Sequence, residues 1–226
     1  MNKKIYTIGH YTFIDRVVAK KRQEMCDIIN KELSDTIIED ALDIGSTNDL
    51  DNESSNYLIK NLTNIKIYKS ISDQEINNSF FSKTLKKSIT DIFLDNEVKS
   101  MKSDLVISNA TIEHVGSFEN QKKMIQNIML LSRKYFVITT PNRYHPIDFH
   151  TKLPILHWFP KNIHRTILKI FKLEFFSKEE NLNLISKNEL QVLLKICGIS
   201  NYKLFDISLL GFKSNFIVIG KINLAS

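Results

Sequence analysis

Glu113-His114, together with His145, Asp148 and His150 further along, are the residues of this chain whose types and spacing best suit proton chemistry on a hydroxyl. Imidazole titrates near neutrality, and a carboxylate accepts hydrogen bonds from hydroxyl groups. Glu113-His114 follows DLVISNA, residues 104–110, an apolar run that reads as a buried strand. In an open parallel sheet ligands sit beyond the carboxyl ends of the strands, so Asn109, Ala110 and the acidic-basic pair are placed for chemistry. ALDIGS, residues 41–46, reads the same way and brings Asp43, Gly45 and Ser46, with Thr47 next, to a neighbouring strand end. The plainer alternatives are that Glu113-His114 caps the coming helix and that DIG merely ends a strand.

His145-Pro146-Ile147-Asp148-Phe149-His150 is the second candidate group, flanked by Arg143 and Trp158. Either histidine suits a general base or a ligand to a sugar hydroxyl, and Pro146 stiffens the loop that carries them. Four of the six histidines fall between His145 and His164. Two histidines and an aspartate could also hold a divalent ion, but the spacing is not that of a zinc motif, and no metal is assigned on this ground.

The elements that must position these residues alternate between strand and helix. Ile14 to Leu33 has helical spacing, with Asp15 at its start, and residues 1–34 are expected to form a covering helix. DALDIGS is a strand, the polar stretch Thr47 to Ser55 leads into a helix through about Leu62, and Ile65 to Ser70 alternates as a second strand. Residues 71–101 are polar and weakly patterned, with order expected only at Ile89 to Leu94. Asp104 to Ala110 is a strand, Ser117 to Ser132 an amphipathic helix, and Tyr135 to Thr140 a β-branched strand stopped by Pro141. Residues 141–180 read as an irregular insertion. Ser186-Lys187-Asn188-Glu189 is a capping box that opens a helix ending at Gly198. Tyr202 to Leu210 and Asn215 to Ile222 are strands joined by a connection too short for a crossover, so they must pair antiparallel. The expected architecture is α/β, a mostly parallel sheet ending in an antiparallel hairpin, with right-handed crossovers.

With 226 residues, 26.3 kDa and 42% apolar content, the chain is expected to form one domain over residues 1–226. Cys26 and Cys197 lie far apart in helical patterns, which argues against a disulfide scaffold or a CxxC metal site. MNKKIYTIGHYTF has no apolar core of signal-peptide length, and no run approaches a membrane span, so a soluble or peripheral cytoplasmic protein is expected. The net charge of +6 and pI near 9.1 permit anionic partners. A chain this rich in Lys, Asn and Ile gains charge from composition alone, so partners are read from clustering. Charge clusters at 152–176, where Lys152, Lys161, Arg165, Lys169 and Lys172 interleave with apolar residues. Such a segment can lie on an anionic inner membrane surface, or pack its apolar side on the domain as a cap.

DIG closing the first strand, DLVISNA followed by IEHV, then VITTPN and a terminal hairpin together resemble the class I S-adenosylmethionine-dependent methyltransferases over roughly residues 35–222. The resemblance is strongest to small bacterial members with an EHV-type sequence after the fourth strand. TPNRYHPIDFHTKLPILHWFP, residues 140–160, is similar to the corresponding segment in methyltransferases of glycan and surface-polysaccharide biosynthesis. The resemblance implies a Rossmann-like seven-stranded sheet, with one strand allowed to be degenerate, and helices on both faces. It implies S-adenosylmethionine as cofactor, with Asp43, Gly45, Ser46 and Thr47 at the first motif. Ser70 falls where the family has a ribose-binding carboxylate, with Asp73 soon after. Asp91-Ile92 stands for the adenine motif, and Asn109-Ala110 for the fourth strand end. Glu113, His114, Arg143 and Trp158 would face the acceptor, with His145, Asp148 and His150 as the catalytic candidates and residues 141–180 as an acceptor cap.

The chain departs from the family in having no further glycine after Gly45, so Thr47 and Asn48 must turn their side chains away. The implied activity is methyl transfer to a hydroxyl of a small-molecule, glycan-type or lipid-linked acceptor. Two other readings stay open: a degenerate methyltransferase-like scaffold, and an RNA methyltransferase supported only by charge. Nucleic acid is disfavoured as a partner by the absence of [DN]PP[YFW] and of a Pro-Cys nucleophile. The absence of GxGxxG disfavours a dehydrogenase.

Overall fold

The computed structural model describes residues 13–48 and 56–222, leaving aside the side chains of residues 13–16 and 18. The readings placed on residues 1–12, on the side chains of Ile14, Asp15 and Val18, and on residues 49–55 lie outside the described residues. In chain order the elements are α1 (Phe13–Leu33), β1 (Asp40–Ile44), α2 (Tyr57–Asn61), β2 (Ile67–Ser72), β3 (Lys83–Lys86), α3 (Asn96–Lys99), β4 (Ser103–Asn109), α4 (Phe118–Leu131), β5 (Ser132–Pro141), α5 (Lys161–Ile170), α6 (Glu174–Ser177), α7 (Lys187–Ile196), β6 (Tyr202–Leu209) and β7 (Phe212–Lys221). The strands form one seven-stranded sheet in the order β3-β2-β1-β4-β5-β7-β6, parallel except for β7, which runs against both of its neighbours.

Burial explains why the centre of this sheet is readable and its edge is not. All five residues of β1 are buried, as are Ser103 to Ser108 of β4, which is the pattern of strands covered on both faces. One face packs Leu42, Val106, Phe136 and Ile138 against α4 and α7 through Ile125, Ile128, Leu190 and Leu194. The other packs Ala41, Leu105 and Ile107 against α1 and α2 through Cys26, Ile29 and Leu58. In the edge strand β3 only Leu85 is buried. One apolar residue carries no periodicity, which is why the stretch 71–101 does not announce a strand in the sequence. β2 likewise runs to Ser72, two residues beyond the expected end, because its final serines are buried without adding an apolar signal.

The capping box of α7 forms as expected, with Ser186 accepting from the Glu189 N–H and Glu189 accepting from the Ser186 N–H at 2.7 Å. The hairpin between β6 and β7 turns on two residues, Leu210 and Gly211, both with positive φ, the turn whose twist matches the strands it joins. Between β5 and α7 the insertion builds α5, α6 and a small core of its own from Leu168, Phe176, Leu182 and Leu184. Cys26 and Cys197 are free thiols. No described helix is long and apolar enough to cross a membrane.

Candidate functional site

A cavity of about 500 Å³ opens beyond the carboxyl ends of β1, β2 and β4. Its wall follows the chain from Asp43 to Thr47, from Ile71 to Gln74, from Lys87 to Thr90 and from Asn109 to Thr111, and adds Asn56, Leu58, Ile59, His114 and Val115. Gly45 sits at φ +88°, and a Cβ there would come within 2.5 Å of Thr111 Oγ1. Thr111 is itself fixed, donating to the Ile44 carbonyl at 3.1 Å, so it cannot yield the space. Only glycine fits where the first and fourth strand ends meet the cavity.

The missing glycines after Gly45 are compensated by side-chain amides. Asn56, at φ +54°, clamps Thr47 from both sides, accepting from its N–H at 2.9 Å and donating to its carbonyl at 2.8 Å. Asn48 turns away from the cavity, accepting from the Asn77 N–H at 2.8 Å and donating to the Glu75 carbonyl. Thr47 belongs to the wall, and its hydroxyl is buried without a hydrogen-bond partner. A buried polar atom left in that state is costly. Asp43 takes a hydrogen bond from Ser46 Oγ. Burial lifts its carboxyl to about 6, although the Ser46 bond pulls the other way.

At the end of β2 the residue that lines the cavity is Asp73, one position past the last strand residue. Ser70 is fully buried, its hydroxyl has no partner, and it does not reach the cavity. The strand simply ends later than its apolar pattern suggests. Asp91 is exposed and Ile92 packs against the hydrophobic core, so neither lines the cavity; the wall there is Lys87 to Thr90 instead. Asn109 and Ala110 do line it, with Asn109 Oδ1 accepting from Thr139 Oγ1 at 2.6 Å.

Beside the cavity, behind His114, lies a buried cluster assembled from two parts of the chain. Glu113 and His114 belong to a short 3₁₀ turn, Ile112–His114, after β4, while Asp148 and His150 come from the insertion. The Nε2 atoms of His114 and His150 are 3.2 Å apart, and Glu113 Oε1 is 3.9 Å from His150 Nε2. Each imidazole is held by its other nitrogen. His114 Nδ1 meets the Asn181 carbonyl at 2.7 Å, and His150 Nδ1 meets Asp148 Oδ1 at 3.1 Å. Both acceptors lack a proton to give, so both Nδ1 atoms carry hydrogen. Thr140 Oγ1 donates to Glu113 Oε2 at 3.1 Å, leaving the buried Oε1 without a hydrogen-bond partner.

Burial sets the charges here. It drives the His114 imidazole down to about 3, with His150 nearby pushing the same way, and lifts the Glu113 carboxyl to about 7. Burial opposes charge on His150 too, but Asp148 and then Glu113 outweigh it and raise its pKa. Asp148, also disfavoured by burial, is held well below the usual carboxylate range by its bonds from His150 and Thr151.

His145 is not part of this cluster. Its ring stacks on Phe149 at 4.7 Å between centroids, and its carbonyl accepts from His157 Nε2 and Trp158 Nε1. Arg143 donates to the carbonyls of His157 and Phe159. Arg143, His145 and Trp158 therefore brace the insertion and do not line the cavity. Thr111, Asn56, Thr140 and Asn181 are the site residues that sequence reasoning missed. Only Asn56 left a signal, as a residue type that tolerates the left-handed conformation at the start of a helix.

No family model and no curated protein sequence matches this chain. Solved structures do match over most of its length. The magnesium protoporphyrin IX methyltransferase of Synechocystis, solved with bound SAH, superposes with a TM-score of 0.60 at 14% identity, covering 97% of this chain and 91% of that one. An S-adenosylmethionine-dependent methyltransferase of Clostridium acetobutylicum gives 0.59 at 10% identity, covering 89% and 92%. The 1,6-didemethyltoxoflavin-N1-methyltransferase of Burkholderia thailandensis, with its acceptor and S-adenosylhomocysteine bound, gives 0.55 at 10% identity, covering 92% and 81%. The chain has the Rossmann-like fold of class I methyltransferases.

Proposed function

We propose that this protein is an S-adenosylmethionine-dependent methyltransferase acting on a hydroxyl of a small-molecule or glycan-type acceptor. The observation that carries the reading is the cavity at the carboxyl ends of β1, β2 and β4, with Gly45 where no Cβ fits. The residues present fit the cofactor. Gly45 and the clamped backbone of Thr47 suit the methionine end, Asp73 the ribose hydroxyls, and the backbone of Lys87 to Thr90 the adenine. Bound there, S-adenosylmethionine would supply a methyl carbon on a sulfonium, a group that already leaves readily.

The protein's own task is then mainly to align the acceptor oxygen with that carbon. His114 is the cluster member in the cavity wall, and its ring would shape the acceptor end of the cavity while the Asn181 carbonyl and His150 hold it in place. The buried cluster also keeps bulk water from competing for the methyl group. Residues 141–180 would cap the acceptor end. The exposed Ile163, Ile170 and Phe171 on and after α5, among Lys169 and Lys172, support contact of residues 152–176 with an anionic bilayer when the acceptor is lipid-linked. Asp73 in the cavity wall weighs against a degenerate scaffold, since a carboxylate is present at the end of β2 after all.

Calorimetric titration of the purified protein with S-adenosylmethionine and S-adenosylhomocysteine tests the reading without knowledge of the acceptor. One-to-one binding in the micromolar range is expected. No binding at millimolar ligand would overturn it.

A further inference from the structure

Two imidazole nitrogens 3.2 Å apart, each on a ring whose other nitrogen already carries a proton, present a problem of charge. If both rings are neutral, their Nε2 lone pairs face each other at contact distance, a repulsive arrangement that a proton or a metal ion between them relieves. Glu113 Oε1 adds a third electron pair, fully buried, without a hydrogen-bond partner and 3.9 Å from His150 Nε2. All three ligand atoms lie within 4.8 Å of one another.

We propose that Glu113, His114 and His150 form a three-ligand site for a divalent transition metal, zinc in the first instance, with an open coordination position toward the cavity. The distances favour it. A metal bonded to nitrogen at about 2.0–2.1 Å with tetrahedral angles separates its ligand atoms by about 3.3 Å, which the two Nε2 atoms already match. The carboxylate, 3.9 Å from His150 Nε2, has to move in, and Glu113 presents the oxygen that Thr140 leaves without a bond. The outer partners are those a metal site requires, a carbonyl on one Nδ1 and a carboxylate on the other, each fixing ring orientation and tautomer. Asp148 is anchored in turn, accepting from Thr151 Oγ1 at 2.6 Å and from the His150 N–H at 3.0 Å. Two imidazoles and one carboxylate select zinc, cobalt, manganese or ferrous iron over the hard ions magnesium and calcium. Because His114 lines the cavity, the open position would take the acceptor oxygen and polarise its O–H. That role rests on the proposed methyl transfer; binding of the metal does not.

The test uses tag-free full-length protein stripped with chelator, titrated calorimetrically with zinc chloride and, in parallel, with magnesium chloride, in the absence of any methyl donor. Saturable one-to-one zinc binding is expected, at least a hundredfold tighter than magnesium, and zinc should raise the melting temperature of the wild-type protein. Cobalt(II) in place of zinc should give visible absorption bands of a four- or five-coordinate ion. Glu113→Gln and His150→Ala should each weaken zinc by a hundredfold or more. Asp148→Asn should weaken it by about tenfold to a hundredfold, as loss of an outer-shell partner does. Absence of saturable zinc binding to the wild type overturns the proposal, and so does one-to-one binding that survives both ligand substitutions. Binding of S-adenosylhomocysteine, measured on the same samples, separates the two readings: zinc without cofactor leaves the metal site standing and removes its methyl-transfer role, and cofactor without zinc does the reverse.

Discussion

The two ends of the same sheet are built in opposite ways. At the amino end, Asp40 opens β1 and Asp104 lies at the start of β4, and their carboxylates are saturated. Lys69 reaches Asp40 at 2.8 Å, Arg133 bridges Asp40 and Asp104, and Lys134 reaches Asp104 at 2.8 Å. Backbone N–H groups of Glu39 and Asp104 fill further oxygen positions. At the carboxyl end, Thr47 Oγ1 and Glu113 Oε1 are buried and have no hydrogen-bond partner, and Asp43 has only Ser46 as a side-chain partner in its hydrogen bonds. The difference teaches where free energy is retained. The first end closes the fold, while the second keeps buried polar groups without a protein partner.

The contrast breaks most completely at Gly45. Gly45→Val forces a Cβ into Thr111 at a left-handed backbone position, and it should abolish S-adenosylhomocysteine binding by calorimetry, at least a hundredfold, while far-ultraviolet circular dichroism stays native-like. Native affinity in this variant would mean that the cavity is not the cofactor site.

Next in size is the pair Asp104→Asn and Asp43→Asn, for which the two ends predict opposite signs. Burial disfavours the Asp104 carboxylate, but Lys134, the Glu39 N–H and Arg133 outweigh it and hold its pKa below the usual range. Its contribution is therefore present above the unfolded-state pKa and lost as pH falls below it. Removing the charge strands two half-exposed cations, Arg133 and Lys134, and should cost about 1 kcal/mol in urea unfolding at pH 7, with cofactor affinity unchanged. The Asp43 pKa is raised from 3.8 to about 6, so the protonated form is the favoured one in the fold. Its contribution is present below the unfolded-state pKa and lost as pH rises through about 6. Asp43→Asn should gain about 2 kcal/mol at pH 8 and flatten the stability profile between pH 4 and 6. Equal signs for the two variants at neutral pH would dissolve the comparison.

The smallest effect sharpens it. Thr47→Val removes a hydroxyl that has no partner in the ligand-free fold, so stability should stay within about 1 kcal/mol of wild type, while affinity for S-adenosylmethionine falls by about tenfold. A loss of stability without a loss of affinity would make Thr47 a structural residue.

The centre of the fold was legible in the sequence because doubly covered strands must be apolar throughout, as in β1 and β4, and because the hairpin connection is too short to cross over. β3 was hidden, since burying Leu85 alone leaves no period to read. The end of β2 was misplaced by two residues for a related reason: Ser70 and Ser72 are buried but polar, so the pattern stops before the strand does. The site was legible only in part. Glu113, His114, Asp148 and His150 are visible as types, but the sequence cannot show that residues 36 positions apart bring their imidazoles together. Nor can it separate His150 from His145, whose burial against Phe149 depends on how the loop folds back after Pro146. Asn56 does the work of absent glycines through hydrogen bonds to a residue nine positions earlier, a contact with no local signature.

The insertion is fastened to the cluster at its carboxyl end. His114 is held by the Asn181 carbonyl, the Asn183 N–H donates to the Glu113 carbonyl at 2.7 Å, and the Asn183 amide donates to the Gly116 carbonyl at 2.7 Å. At the other end Thr151 Oγ1 holds Asp148, so the insertion is tied to the cluster at both of its junctions and a change of length between them would be felt at both imidazoles.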